Sequence, residues 1–224
     1  MEILPGRACS EFLLGMKDLE VMSEGIPDFH ILNKILRVKT DWEIVVVAGL
    51  VSDADFFEYL AQRQFPSTRF LREENQFNYI VEPDVFHDAF GHIPLLMNEV
   101  IADYMQAYGK GGLTALVFDN ERTDKFHLKC LSRLYWYTIE FGLTHTKDVL
   151  RIYGAGILSS SKESIYCLES SAPFRIAFDL MRVMCSDYQI SKPQDVYFVI
   201  PKIENLIEIT MQYFESIYTQ LASM

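Results

Sequence analysis

A chain of 224 residues, 50% hydrophobic and 13% aromatic, is long enough to bury a core and reads as one globular domain, not a disordered segment. Its formal net charge of -11 argues against a nucleic-acid or anionic-membrane partner. No apolar run reaches membrane-spanning length, the first residues lack a signal-peptide pattern, and the four cysteines form no CxxC pair, as expected of free thiols in a cytoplasmic protein.

Taken in chain order, residues 8–22 and 27–38 read as short amphipathic helices, the second entered through Pro27-Asp28. Glu43 to Ala48 is a β-branched run bounded by Gly49 and predicts a buried strand. Ser52 caps a helix to Arg63, with Asp55 in its first turn. Thr68–Leu71 reads as a strand and Arg72–Asn78 as a polar loop. A helix over 83–91 opens on Pro83 and Asp84, which suit a helix N-terminus. The next runs from Asn98 to Tyr108 and is ended by Gly109, Gly111 and Gly112. One long helix spans Asn120 to Leu143. Leu150–Tyr153 and Val196–Ile200 read as strands, and Ser160–Leu168 and Asp179–Cys185 as short helices. Pro201 opens a C-terminal helix with an apolar stripe from Ile203 to Leu221. The sum is an α+β fold, mainly α, with a few short strands.

The chemistry concentrates in Glu82-Pro83-Asp84-Val85-Phe86-His87-Asp88-Ala89-Phe90-Gly91-His92-Ile93-Pro94. His87 and His92 are five apart, about 140° on an ideal helix and too wide for one face. A left-handed helix end at Gly91, followed by Pro94, would let His92 swing back. Glu140 lies in Leu134–Leu143, a stretch apolar or aromatic all round. A buried carboxylate needs a partner, and a divalent metal or a pairing with Arg133 or Arg151 would supply one. Two imidazoles and a carboxylate form the facial triad of non-heme Fe(II) oxygenases. A zinc hydrolase could use the same ligands, but HExxH is absent.

In these segments the chain resembles the pterin-dependent aromatic amino acid hydroxylases, most of all their bacterial members. The likeness runs from Leu4-Pro5-Gly6-Arg7-Ala8-Cys9 to Val196–Ile200. It is carried by Val47–Val51, Tyr79–Asp84, the histidine motif, Ala102–Gly109, Tyr135–Leu143 and Ile152–Ser160. The resemblance implies a single catalytic domain over 1–224, short of a helical lead-in. The reaction implied is para-hydroxylation of L-phenylalanine to L-tyrosine with O2 and a tetrahydropterin such as tetrahydrobiopterin, in a monomer or small homo-oligomer.

It further implies that His87, His92 and Glu140 bind Fe(II), with Tyr79 near the open iron positions. A tetrahydropterin would stack near Phe56, beside Gly49, Leu50 and Ser52, with Asp88 and Tyr135 lining that side. The substrate would lie against Trp136 and Phe141, its carboxylate on Arg72, which Asp84 would hold. Ser159, on the same side, would hydrogen-bond His87, with Glu163 behind it. Read from the residues alone, Arg72 is equally a solvated arginine, Phe56 plain core, Asp88 a first-turn helix acid and Ser159 a helix cap. Tryptophan or tyrosine hydroxylation, or a catalytically silent pterin- or amino-acid-binding relative, stays open alongside the phenylalanine reading.

Overall fold

The structure, a computed structural model, describes residues 4–19, 28–49, 51–72, 83–190, 192–210 and 213–223. It opens with helix α1 (Ser10–Asp18) and helix α2 (Phe29–Thr40), which Asp28 caps by accepting the His30 N–H. Strand β1 (Glu43–Val46), helix α3 (Asp53–Ala61) and strand β2 (Gln64–Ser67) make a β-α-β unit whose two strands pair in parallel. Ser52 caps α3 by accepting the Asp55 N–H, as its sequence position predicts. The strand expected at Thr68–Leu71 lies four residues earlier, where Phe65 and Ser67 are buried against the core, while Arg69, Phe70 and Leu71 are exposed.

A π-helical turn at His87–His92 runs without a break into helix α4 (Ile93–Leu96), followed by helix α5 (Glu99–Phe118). Here the sequence reading fails at its glycines. α5 continues through Gly109, Gly111 and Gly112, because these positions give neighbouring elements room to approach. A Cβ would meet the Ala61 nitrogen at 2.4 Å from Gly109, Phe214 at 2.8 Å from Gly111 and Phe57 at 2.1 Å from Gly112. Local propensity disfavours glycine here by about 1 kcal/mol, and close packing overrides it. Gly109→Ala therefore loses about 1–3 kcal/mol to overpacking despite alanine's better helix propensity. Urea unfolding checks this, and unchanged stability would contradict it.

Helix α6 (Phe126–Tyr135) passes into a second π turn, Trp136–Glu140, and then into strands β3 (Leu143–Thr146) and β4 (Val149–Ile152). The long helix expected over Asn120–Leu143 is thus shorter at both ends, and Leu143 belongs to a sheet. Helices α7 (Ala155–Leu158) and α8 (Ser161–Glu169), strand β5 (Phe174–Ala177), helix α9 (Leu180–Cys185) and strand β6 (Val196–Ile200) follow. The sheet order is β4-β3-β6-β5, with β3–β4 antiparallel and the other pairs parallel. The C-terminal stripe forms two helices, α10 (Asn205–Thr210) and α11 (Phe214–Ala222), rather than one. Both pack on α5. The mainly helical α+β fold stands as expected.

The core is one cluster in which α5 is central, with α3, α6, α10 and α11 around it. All four cysteines are free, and only Cys185 is exposed. Among the described residues no helix is long and apolar enough to cross a membrane.

Candidate active site

His87 and His92 are brought together by a device the sequence reading did not foresee. Gly91 ends no helix and has no left-handed backbone. Instead the turn widens, and the Ile93 N–H bonds to the Asp88 carbonyl five residues back. That spacing stacks residue i+5 near residue i, which a 3.6-residue turn cannot do. The two imidazoles consequently sit with ring centroids 4.8 Å apart and planes at 84°. Gly91 serves a different end: a Cβ there would lie 2.9 Å from the Ala155 carbonyl oxygen. Its absence lets α7 seat against the histidine turn.

Glu140 ends the second π turn, closed by the Phe141 N–H on the Trp136 carbonyl at 2.7 Å. His92 Nε2 lies 3.0 Å from His87 Nε2 and 3.2 Å from Glu140 Oε1, and His87 Nε2 lies 3.6 Å from Glu140 Oε2. Neither arginine considered as a partner reaches Glu140. Arg133 bonds the Met184 carbonyl and Asp187, and Arg151 bonds the Leu150 carbonyl. Burial pushes the Glu140 carboxyl up, but the two imidazoles pull harder and hold it well below the usual carboxylate range. Burial disfavours a charged His87, yet Glu140 outweighs it and raises that imidazole.

The donor set fits a divalent metal. Two ligand atoms at right angles, each about 2.1 Å from one ion, stand about 3.0 Å apart, close to the separations found. Ser159 settles the tautomer. Its hydroxyl donates to the Ala155 carbonyl at 2.9 Å and so accepts the His87 Nδ1–H at 2.8 Å. The Nε2 lone pair of His87 is left facing Glu140 and His92. Ser160, not Ser159, caps α8 by accepting the Glu163 N–H. Ser159→Ala should weaken divalent-metal binding about 10–100-fold, the usual loss when a ligand's orienting partner goes. Titration against a chelator measures it, and an unchanged affinity would contradict the assignment.

A cavity of about 600 Å³ opens beside this cluster, and His87, Glu140, Arg72, Tyr135, Trp136 and Phe141 are on its wall. Arg72 is no solvated loop residue. It is 5% exposed, donating from Nε and Nη2 to the two oxygens of the fully buried Asp84 at 2.9 and 2.6 Å. Burial pushes the Asp84 carboxyl up, but the Arg72 bonds and the His87 N–H at 2.9 Å hold it below the usual range. Asp84 thus fixes Arg72 and the start of the histidine turn together. Trp136 stacks on Phe141 at 4.5 Å. Lys162 and Lys192 also line the cavity, beside Glu140 and Glu163, and Lys192 is paired with Asp195 at 2.8 Å.

The residues expected around a pterin lie on the α3 side. Phe56 is half-buried and meets Tyr135 edge-on at 6.0 Å, which links it to the cavity wall. Gly49 and Ser52 are exposed at the mouth of the β1–α3 connection. Asp88 is buried behind the histidines, accepting from Ser67 Oγ at 2.9 Å and the Thr68 N–H at 3.1 Å. Burial pushes its carboxyl up, and it pushes the Tyr135 hydroxyl well above its ordinary range. Tyr79 and Leu50 lie outside the described residues. Tyr188, Ile190 and Gln194 border the site without having been singled out, since nothing marks them in a polar stretch of the sequence.

A helical scaffold that opens an N,N,O facial donor set onto an aromatic cavity defines the class of non-heme iron oxygenases. A family profile for biopterin-dependent aromatic amino acid hydroxylases matches residues 1–222, and the chain belongs to that family. A phenylalanine-4-hydroxylase of Chromobacterium violaceum is 53% identical over 221 residues, 99% of this chain and 72% of that protein. One from Caulobacter vibrioides is 50% identical over 223 residues, 100% of this chain and 74% of that protein. The crystal structure of the C. violaceum phenylalanine hydroxylase bound to cobalt matches with a TM-score of 0.92 at 52% identity, covering 100% of this chain and 78% of that one.

Proposed function

We propose that this chain is a phenylalanine 4-monooxygenase, converting L-phenylalanine to L-tyrosine with O2 and a tetrahydropterin at a non-heme iron centre. The observation that carries the reading is the convergence of His87, His92 and Glu140 within 4.8 Å, beside an aromatic cavity that also holds a buried guanidinium. Phenylalanine-4-hydroxylases at 50–53% identity over nearly the whole chain support the substrate.

His87, His92 and Glu140 would hold the iron, leaving its other positions open to the cavity. Iron and tetrahydropterin, when bound, together activate O2 for transfer of one oxygen atom to the ring. The chain's own part is placement. Arg72, held by Asp84, would take the substrate carboxylate, since guanidinium and carboxylate match bidentately. Trp136 and Phe141 would confine the ring and exclude water from the reacting centre. Phe56 and Tyr135 would offer the pterin aromatic surface, flanked by Gly49, Leu50, Ser52 and Asp88. Tyr79 would stand near the open metal positions. Residues 1–224 would act as one catalytic unit.

The test is product analysis with phenylalanine, tyrosine and tryptophan offered to the iron-loaded protein with tetrahydropterin. The highest kcat/KM should be for phenylalanine, giving tyrosine. A higher value for either of the other two would overturn the substrate assignment while leaving the iron centre intact.

A further inference from the structure

Trp136 is the middle ring of a stack, with Phe141 on one face at 4.5 Å and 26° and Tyr188 on the other at 4.3 Å and 14°. Stacking holds an indole between two planes but resists in-plane sliding and rotation only weakly, because dispersion is not directional. A hydrogen bond is directional. Here the Trp136 Nε1–H donates to Gln194 Oε1 at 3.0 Å. Gln194 is 4% exposed, and its side-chain nitrogen donates to the Gln189 carbonyl at 2.8 Å and the Lys192 carbonyl at 3.3 Å. Its backbone N–H reaches Glu163 Oε1 at 3.3 Å, and the Tyr197 hydroxyl donates to the same oxygen. One buried amide therefore ties the indole to the chain around Gln189 and Lys192, and its backbone is pinned to α8 and, through Tyr197, to β6. Ile190, Lys192, Pro193 and Gln194 from this segment form part of the cavity wall.

We propose that Gln194 is a positioning residue for the aromatic substrate, setting the in-plane register of Trp136 and the seat of the segment that walls the cavity. The proposal rests on the reading of this cavity as the phenylalanine site. The hydrogen bonds of Gln194 go to Trp136, Glu163, Gln189 and Lys192 and not to the metal ligands, so its effect falls on substrate binding and reaches the ring through Trp136.

The experiment is a double-mutant cycle of Gln194→Leu and Trp136→Phe, followed by phenylalanine kinetics and by hydrogen exchange at the Trp136 indole N–H. Gln194→Leu should raise KM for phenylalanine about tenfold with kcat changed less than about threefold, the pattern of lost binding rather than lost chemistry. In the Trp136→Phe background the same substitution should raise KM less than about twofold, since coupled residues are not additive. The indole N–H should exchange faster in Gln194→Leu than in the unaltered protein. Gln194→Met, which keeps the length and loses the amide, replaces the leucine variant if that variant does not fold. An unchanged KM, or an equal KM effect in both backgrounds, would overturn the proposal. If the unaltered protein makes no tyrosine, the phenylalanine reading fails by itself. Indole exchange then decides the positioning claim, with an unchanged rate in Gln194→Leu overturning it.

Discussion

Glu140→Ala should lower tyrosine formation by about a thousandfold or more, the several kcal/mol that a correctly held metal contributes to such a reaction. The substitution removes the carboxylate of the cluster and the group that does most to raise His87. Two imidazoles 3.0 Å apart would be left to face each other, with no carboxylate among the ligands to balance the charge of a divalent ion. Iron content after gel filtration should fall with activity, while the fold survives, because among the described residues the Glu140 carboxylate meets His87 and His92 rather than the arginines that tie α6 and β4 to their surroundings. A variant that retains both iron and turnover would show that Glu140 is merely a buried acid.

The second large effect belongs to Asp84, whose loss separates stability from catalysis. Asp84→Ala leaves the Arg72 guanidinium buried without its carboxylate, and breaking a buried pair from one side destabilises by about 3–5 kcal/mol. The same change frees Arg72 to rotate, so KM for phenylalanine rises as well. Replacing both partners, Arg72→Met with Asp84→Leu, removes the unpaired charge but leaves the Arg72 and His87 backbone N–H groups without their acceptor, so it should recover part of the stability and none of the substrate affinity. Urea unfolding beside steady-state kinetics distinguishes the two. Full affinity in the double variant would end the role of Arg72 as a carboxylate clamp. The pair also has a pH signature. Since the Asp84 carboxyl is held below its ordinary value, its stabilisation is complete above the unfolded-state pKa of about 4 and is lost as pH falls through the lower folded value.

The donor residues were legible because their chemistry conflicts with their surroundings. Glu140 stands in an apolar stretch that leaves an unpaired carboxylate no place, and two histidines beside Gly91 and Pro94 signal an irregular turn. The form of that irregularity was not legible. A reading built on 3.6 residues per turn has no entry for an i+5 turn, so Gly91 looked like a helix end when it is a packing surface for Ala155. The glycines of α5 mislead for the same reason: their purpose lies in Phe57, Leu60 and Phe214, far away in sequence. Strand β3 was absorbed into the preceding helix because Leu143 is as apolar as the residues before it. β5, with no fully buried residue, carries no alternation to find. Gln194 gives no local sign at all, since its importance is a set of bonds to Trp136, Gln189, Lys192 and Glu163.

The most direct test is tyrosine formation from phenylalanine by the purified chain with Fe(II), tetrahydropterin and air, measured beside His92→Ala. The account predicts tyrosine from the unaltered protein, none above background from His92→Ala, and loss of activity on iron chelation. A folded, iron-loaded chain that forms no tyrosine, or a His92→Ala variant that forms it at the same rate, would contradict it.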